Sequence, residues 1–221
     1  MKHYIITRFS ILDQSVRIFP SWNTSSPPIK ENLFSDKRLD HKFTAFDKIT
    51  YPSIKNQNYN NYTWLIYASV YLPEFYKNKL EQYTDTRIQI NYINDFKQMN
   101  EHLKNIFIKE KKEYSSIRLD DDDGLCSSFL DTINSYQNQK NKIISFPNGI
   151  RYTIDNNKNI VFGSKIVWPK NAMGMTAIGF NIFSAGNHNK VDSKYEVLYD
   201  HTENAYFLCC SEFCDTKREF F

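Results

Sequence analysis

Glycine is scarce in this chain, 6 among 221 residues, and none falls into a G-x-G-x-x-G or G-x-x-x-x-G-K-[ST] pattern. A backbone loop that cradles phosphate through glycine is therefore not expected. No apolar run approaches the ~18 residues that a bilayer-spanning helix needs, and the opening residues 1–7 are too short and too polar for a secretory signal. The expectation is a cytoplasmic protein, with peripheral association at the inner face of the cell membrane as its closest approach to lipid. Cysteine numbers 4, with no C-x-x-C pair and no His at zinc-finger spacing, which argues against a structural zinc. Cys209 and Cys210 follow an aromatic run and read as buried, reduced thiols. The formal charge is only +3 and Lys is scattered among Asn. Without a concentrated basic stripe, no nucleic-acid partner is expected; the cluster Lys109, Lys111 and Lys112 reads as a solvated helix end.

What the chain does have is apolar mass. Hydrophobic residues make up 41%, with 17 Phe and 15 Tyr, enough for one well-covered core and, as the simplest organisation, one domain over residues 1–221. His3 to Phe9 is a compact apolar run that predicts a buried strand. Phe19 to Ser35, punctuated by Pro20, Pro27 and Pro28, reads as a loop. Helical spacing begins at Leu39 and runs through Phe43, Phe46 and Ile49 until Tyr51-Pro52 bends or ends it. A strand follows over Tyr62 to Ala68, then a helix opened by Leu72-Pro73-Glu74, a strand over Arg87 to Ile93, and a helix capped by Asp95 that carries Phe96, Met99, Leu103 and Phe107. After the run Tyr114 to Leu119 comes a helix with Phe129, Leu130, Ile133 and Tyr136. The remainder is rich in strand-like pieces: Lys142 to Asp155, Asn159 to Val167 joined to it through a turn at Asn156-Asn157-Lys158, Met173 to Phe183, Lys194 to Tyr199 and Ala205 to Cys210.

Strand and helix alternate up to four consecutive carboxylates, Asp120, Asp121, Asp122 and Asp123. That alternation predicts a mostly parallel sheet covered by helices. Ligands of open α/β sheets bind beyond the carboxyl ends of the strands, which is where these four fall. Adjacent like charges repel, and an Asp-x-Asp spacing after a strand suits a hard cation bridging to diphosphate oxygens. The competing reading is an exposed acidic turn screened by water and salt.

The stretch Leu119 to Asp123 resembles the L-D-x-D-D element of GT-A glycosyltransferases, and Ile117 to Leu125 is similar to the R-L-D-D-D-D-A-L motif of the rhamnosyltransferase family of bacterial polysaccharide loci. Other segments resemble that family in order: Thr7-Arg8-Phe9, Leu39 to Phe46, Pro52-Ser53-Ile54 with Gln57, Tyr62 to Leu65, and Leu72 to Phe75. The resemblance is close over residues 3–135 and looser beyond. It departs at Lys42, where Arg is expected, at Ser69, where an acidic residue is usual, and at Gly124, which replaces Ala.

The resemblance implies an α/β, GT-A-like (Rossmann-like) fold, with residues 1–125 binding the nucleotide sugar and a β-rich part, 126–221, on the acceptor side. It implies a glycosyltransferase using Mn²⁺ or Mg²⁺, a dTDP- or UDP-sugar donor and a glycan acceptor, with rhamnose the sugar that the family's name carries. Thr7, Arg8 and Phe9 would line the nucleotide. Asp120 would face ribose or metal, Asp122 would be the principal metal ligand, Asp123 would support it and Asp121 would point away. A further ligand would come from a C-terminal histidine, His201 in preference to His188. An inverting displacement also needs a base, for which Asp200 and Glu196 are the candidates, with Asp192 beside them. Two alternatives stand next to this: a haloacid-dehalogenase-type phosphatase with Asp120 as nucleophile and Asp122 as acid/base, and a glycosyltransferase-like module without turnover.

Overall fold

The structure, a computed structural model, describes residues 1–12, 32–110, 113–211, 213 and 214. Most of the loop expected over Phe19 to Ser35, together with Lys111 and Lys112, lies outside these residues. Strand β1 (Lys2–Phe9) is the centre of the molecule. Because successive side chains of a strand point to opposite faces, Ile5 and Phe9 enter one hydrophobic cluster while Tyr4 and Ile6 enter another. Burial on both faces explains why the segment reads as a continuous apolar run.

β1 pairs in parallel with β2 (Tyr62–Ser69) on one side and β4 (Tyr114–Asp120) on the other, and β2 pairs with β3 (Ile88–Ile93). With β6 (Ile143–Ser145), β9 (Thr176–Ile178) and β10 (Val197–Tyr199) they form a seven-stranded sheet in the order β10-β6-β9-β4-β1-β2-β3. β9 runs antiparallel to both neighbours, so the sheet is mostly parallel, as expected. The chain moves outward from β1 to β3 and then returns to place β4 on β1's other side. That reversal opens a crevice at the carboxyl ends of β1 and β4.

Helices cover both faces. On the first lie α1 (Asp36–Ala45), a π turn (Phe46–Thr50), α2 (Tyr51–Lys55), α3 (Glu74–Glu81) and α5 (Phe129–Ser135), burying Leu39, Phe43, Phe46, Leu80 and Leu130. On the second, α4 (Phe96–Phe107) buries Met99, Leu103 and Phe107 beside 3-10 turns at Ile182–Ala185 and His188–Ser193. The α4 start follows the sequence expectation: the Asp95 carboxylate accepts from the Gln98 N–H at 2.8 Å. The Tyr51-Pro52 step does not end the preceding helix. Pro52 sits in the first turn of α2, and the helical path continues through the π turn, with the Tyr51 N–H reaching back to the Phe46 carbonyl.

A second sheet holds β5 (Gly124–Leu125), β11 (Tyr206–Cys209), β7 (Asn148–Ile154) and β8 (Ile160–Val167) in the order β5-β11-β7-β8. The expected single strand over Lys142 to Asp155 is divided between the two sheets at Phe146-Pro147, because proline has no N–H to offer a ladder. The β7–β8 turn falls at the expected Asn156-Asn157-Lys158, with Lys158 at φ 63°. Among the described residues no helix is long and apolar enough to cross a membrane.

His3 is fully buried on β1, with its Nδ1 2.7 Å from the Ser115 hydroxyl. Burial, reinforced by the nearby Met1 ammonium, pushes its pKa down to about 3 from 6.5. Between those two values the unfolded chain binds a proton that the folded chain refuses, so stability is full above pH 6.5 and is lost as pH falls toward 3. Urea unfolding between about pH 4 and about pH 7 should show a slope approaching ~1.4 kcal/mol per pH unit from this group. In His3→Asn that part of the slope should disappear.

Candidate active site

The β1–β4 register sets Arg8 beside Asp120. Arg118, two residues before Asp120, projects from the same face of β4. The Asp120 carboxylate consequently receives both guanidinium groups, at 3.4 Å from Arg8 and 3.1 Å from Arg118. Both also lie over the Phe183 ring, with guanidinium carbons 5.3 and 6.0 Å from its centroid. Although burial acts to raise the Asp120 pKa, the two arginines hold it well below the usual carboxylate range. Burial, then repulsion from Arg118, lowers Arg8 to about 10, so an anion arriving here would relieve crowded positive charge.

The same alternation corrects two expectations. Thr7 and Phe9, flanking Arg8, face the opposite side of β1. The Thr7 hydroxyl accepts from the Trp64 indole N–H at 2.9 Å, and Phe9 packs on Phe43 and Phe46 in the core. Of the Thr7-Arg8-Phe9 segment, Arg8 alone lines the cavity.

Beyond β4 the four carboxylates make a tight turn, closed by the Asp123 N–H on the Asp120 carbonyl at 3.2 Å. Asp121 does not point away. Its Oδ1 and the Oδ2 of Asp122 converge on the Lys42 ammonium of α1, at 2.8 and 2.6 Å, and all three side chains are under one-tenth exposed. Burial lowers the Lys42 pKa, but the two carboxylates outweigh it and hold the group well above its ordinary value. Burial, opposed by Lys42 and aided by Asp122, pushes Asp121 up to about 6, which leaves it ionised at neutral pH. Asp123 is raised well above its ordinary value by burial and by the charges of Asp122 and Asp120, and its carboxylate accepts from the Cys209 N–H at 3.0 Å. The turn's backbone is clamped as well: Thr50 donates to the Asp121 carbonyl at 3.2 Å and the Tyr152 phenol donates to the Asp122 carbonyl. Gly124, which ends the turn, is tightly placed, since a Cβ there would meet Ile49 at 2.8 Å.

These groups line a cavity of ≈ 760 Å³ whose wall also includes Arg38, Phe96, Trp168, Phe183, His188 and Cys214. Arg8, Arg38, Lys42 and Arg118 share its wall with the four carboxylates. Arg38 is fixed by the Ser10 hydroxyl and the Leu33 carbonyl, at 2.9 and 3.0 Å. His188 is at the wall and His201 is not: His201 is exposed, with its carbonyl accepting from Asn148 at 2.9 Å. The His188 Nδ1 lies 2.6 Å from the Lys170 carbonyl. A carbonyl can only accept, so Nδ1 carries the proton and Nε2 keeps a lone pair. Burial lowers the His188 pKa and favours this neutral form.

The candidate bases lie outside the cavity lining. Asp200 accepts from the Tyr136 hydroxyl at 2.8 Å, Glu196 pairs with Lys142 at 2.9 Å and Asp192 with Lys170 at 2.7 Å. Arg118 stood in the sequence motif two residues before Asp120, and period-two alternation was the signal for its role. No local signal marks Lys42, Arg38 or His188 as neighbours of the carboxylates, because helix, turn and strand meet only in the fold.

The expected metal set Asp120, Asp122 and His201 is not brought together. Among the described residues the group able to hold an ion is Asp122, Cys209 and Cys214, all buried, with donor atoms within 4.8 Å of one another. Two thiols and one carboxylate suit a soft ion, whereas Mn²⁺ or Mg²⁺ prefers oxygen ligands. Asp122 Oδ2 is moreover already shared between Lys42 and the Cys214 thiol, at 2.6 and 3.1 Å. The residues as arranged do not fit a hard divalent cation. Nor do they fit phosphatase chemistry, in which Asp120 would have to be free to attack phosphorus.

Tyr152→Phe removes the phenolic donor from the buried Asp122 carbonyl, a loss of about 2 kcal/mol, and should lower Tm by about 4–8 °C in scanning calorimetry. An unchanged Tm would mean that the turn keeps its shape without this clamp.

The structure is similar to crystal structures of S. aureus TarS. The match to TarS 1–349 has a TM-score of 0.53 at 10% identity, covering 95% of this chain and 60% of that one. The match to TarS 1–349 in complex with UDP-GlcNAc has a TM-score of 0.54 at 10% identity, covering 96% and 59%. The complex with UDP gives 0.53 and 10%, covering 96% and 61%. The chain thus spans about three-fifths of these TarS chains, and at this identity the likeness is one of fold: mixed α/β with a mostly parallel central sheet, GT-A-like. No curated protein matches the sequence. A family model described as "Putative rhamnosyl transferase" matches residues 2–220, which is nearly the whole length, and the chain belongs to that family.

Proposed function

We propose that this chain is a glycosyltransferase that moves a sugar from a nucleotide-diphosphate donor, a dTDP- or UDP-sugar, to a growing surface glycan, with rhamnose the sugar named by the family. One observation carries the reading: a cavity of ≈ 760 Å³ at the point where the sheet's strand order reverses, with Arg8, Arg38 and Arg118 on its wall. Its volume is in the range of ligand pockets, ~300–1,000 Å³, and its guanidinium groups suit a diphosphate. The crystal structures of TarS with UDP and with UDP-GlcNAc support a nucleotide-sugar ligand for this fold.

In this reading residues 1–125 bind the nucleotide sugar and residues 126–221 form the acceptor side. Arg8 and Arg118 donate to the diphosphate oxygens and stabilise the negative charge that develops on the leaving group as the glycosidic bond breaks. Asp120 holds both guanidinium groups in position. His188, through Nε2, takes the proton of the acceptor hydroxyl, a role for which a neutral imidazole at the cavity wall is better placed than Asp200 or Glu196.

Isothermal titration with UDP and dTDP tests the donor site. Arg8→Ala and Arg118→Ala should each weaken binding by about tenfold or more, while Glu196→Gln should leave it unchanged. Absence of binding by either nucleotide would sink the proposal. For the base, His188→Gln should keep nucleotide affinity while lowering kcat for sugar transfer by about 10²–10⁴-fold. A kcat drop of that size in Asp200→Asn instead would return the role to Asp200.

A further inference from the structure

We propose that the Lys42 ammonium occupies the position that a hard divalent cation takes between paired carboxylates, and that this chain therefore binds its nucleotide diphosphate without a metal ion. The second half of this statement rests on the proposed function; the first rests on geometry alone. Asp121 and Asp122 each turn one oxygen to a single Nζ, at 2.8 and 2.6 Å. That is how two carboxylates bridge a cation, and the cation here is covalently part of the chain.

The ammonium is not free to yield its place. Lys42 is carried on α1 between Leu39 and Phe43, neither of which is exposed, so its stem is anchored in the core. The turn it meets is clamped through its backbone carbonyls by Thr50 and Tyr152. A divalent ion on the same oxygens would have to expel a buried ammonium into the cavity or sit beside it, and two like charges at that distance inside a protein repel strongly.

The other two carboxylates offer no alternative. Asp120 is clasped by Arg8 and Arg118, and Asp123 is turned to the Cys209 N–H. Each member of the quartet therefore has a partner within the protein. The positive charge that a metal would bring to a diphosphate is supplied by side chains at the same cavity: Arg8, Arg38, Arg118 and Lys42 itself, whose three N–H donors exceed the two that the carboxylates use.

Two measurements on the full chain test this. Electron paramagnetic resonance of Mn²⁺ added to the ligand-free protein should show the ion free in solution with wild type and bound with Lys42→Gln, whose neutral side chain leaves both carboxylates without a counter-charge. Isothermal titration of UDP and dTDP should give wild-type affinities that differ by less than about twofold between chelator and Mn²⁺, against about tenfold or more in Lys42→Gln. Lys42→Arg keeps the charge and should keep the metal indifference, which provides a folded control if Lys42→Gln is too unstable. Mn²⁺ bound by wild type and lost in Asp122→Asn would overturn the proposal, as would nucleotide binding by wild type that requires Mn²⁺, or a folded Lys42→Gln that leaves Mn²⁺ free. If neither nucleotide binds under any condition, the donor-site reading fails and the metal-free binding with it, while the Mn²⁺ signal of the ligand-free protein still decides the role of Lys42.

Discussion

Four adjacent carboxylates in one buried turn repel each other, and much of the molecule is arranged around answering that repulsion. The answer comes from three separate elements. β1 contributes Arg8 through its parallel register with β4, β4 contributes Arg118 through its own alternation, and α1 contributes Lys42 from the opposite layer. Each cation is held by more than the acid it meets: the arginines by Phe183, the lysine by a helix whose Leu39 and Phe43 are fully buried. Removing one partner of a buried pair leaves an uncompensated charge, a loss of about 3–5 kcal/mol, so the turn and the layers around it stand or fall together.

The scarcity of glycine acquires a structural counterpart here. Chains that bind phosphate through backbone N–H groups need glycine so that the backbone can approach the ligand closely. This chain has little of it and instead gathers guanidinium and ammonium groups at a strand reversal. On the proposed reading, its phosphate chemistry is written in side chains, and selectivity follows from where long cationic stems are anchored.

What could be read from the sequence was local. The strand–helix order, the Asp95 cap, the turn before Asn159 and the carboxylates at a strand end all depend on patterns a few residues long, and all were found. Thr7 and Phe9 turn away from the cavity that Arg8 lines because a strand shows its neighbours to opposite faces, which a three-residue motif does not display. The Tyr51-Pro52 step, expected to bend or end the helix, does not end it: the helical path passes through a π turn into α2. The partners of the carboxylates were beyond reach for another reason. Lys42 stands in the family-like segment Leu39 to Phe46 and His188 was the less favoured of two candidate histidines, but both lie far from Asp122 in the chain; only the packing of α1 on one face and a 3-10 turn on the other brings them to the same cavity.

The π turn at Phe46–Thr50 bears on how such a meeting is kept in register. Lys42 and Thr50 address the same acidic turn, one through its ammonium and the other through its hydroxyl. On an unbroken α-helix, eight residues at 3.6 per turn would set their directions about 80° apart. A π turn rotates less per residue and brings the two back to one side. The turn is therefore a matter of counting: the extra residue it absorbs sets the phase between two contacts on one helical path. Along this stretch a change in length would be felt more sharply than most changes in chemistry, because losing a single residue would rotate one hand of the clasp away while leaving every side chain in it intact.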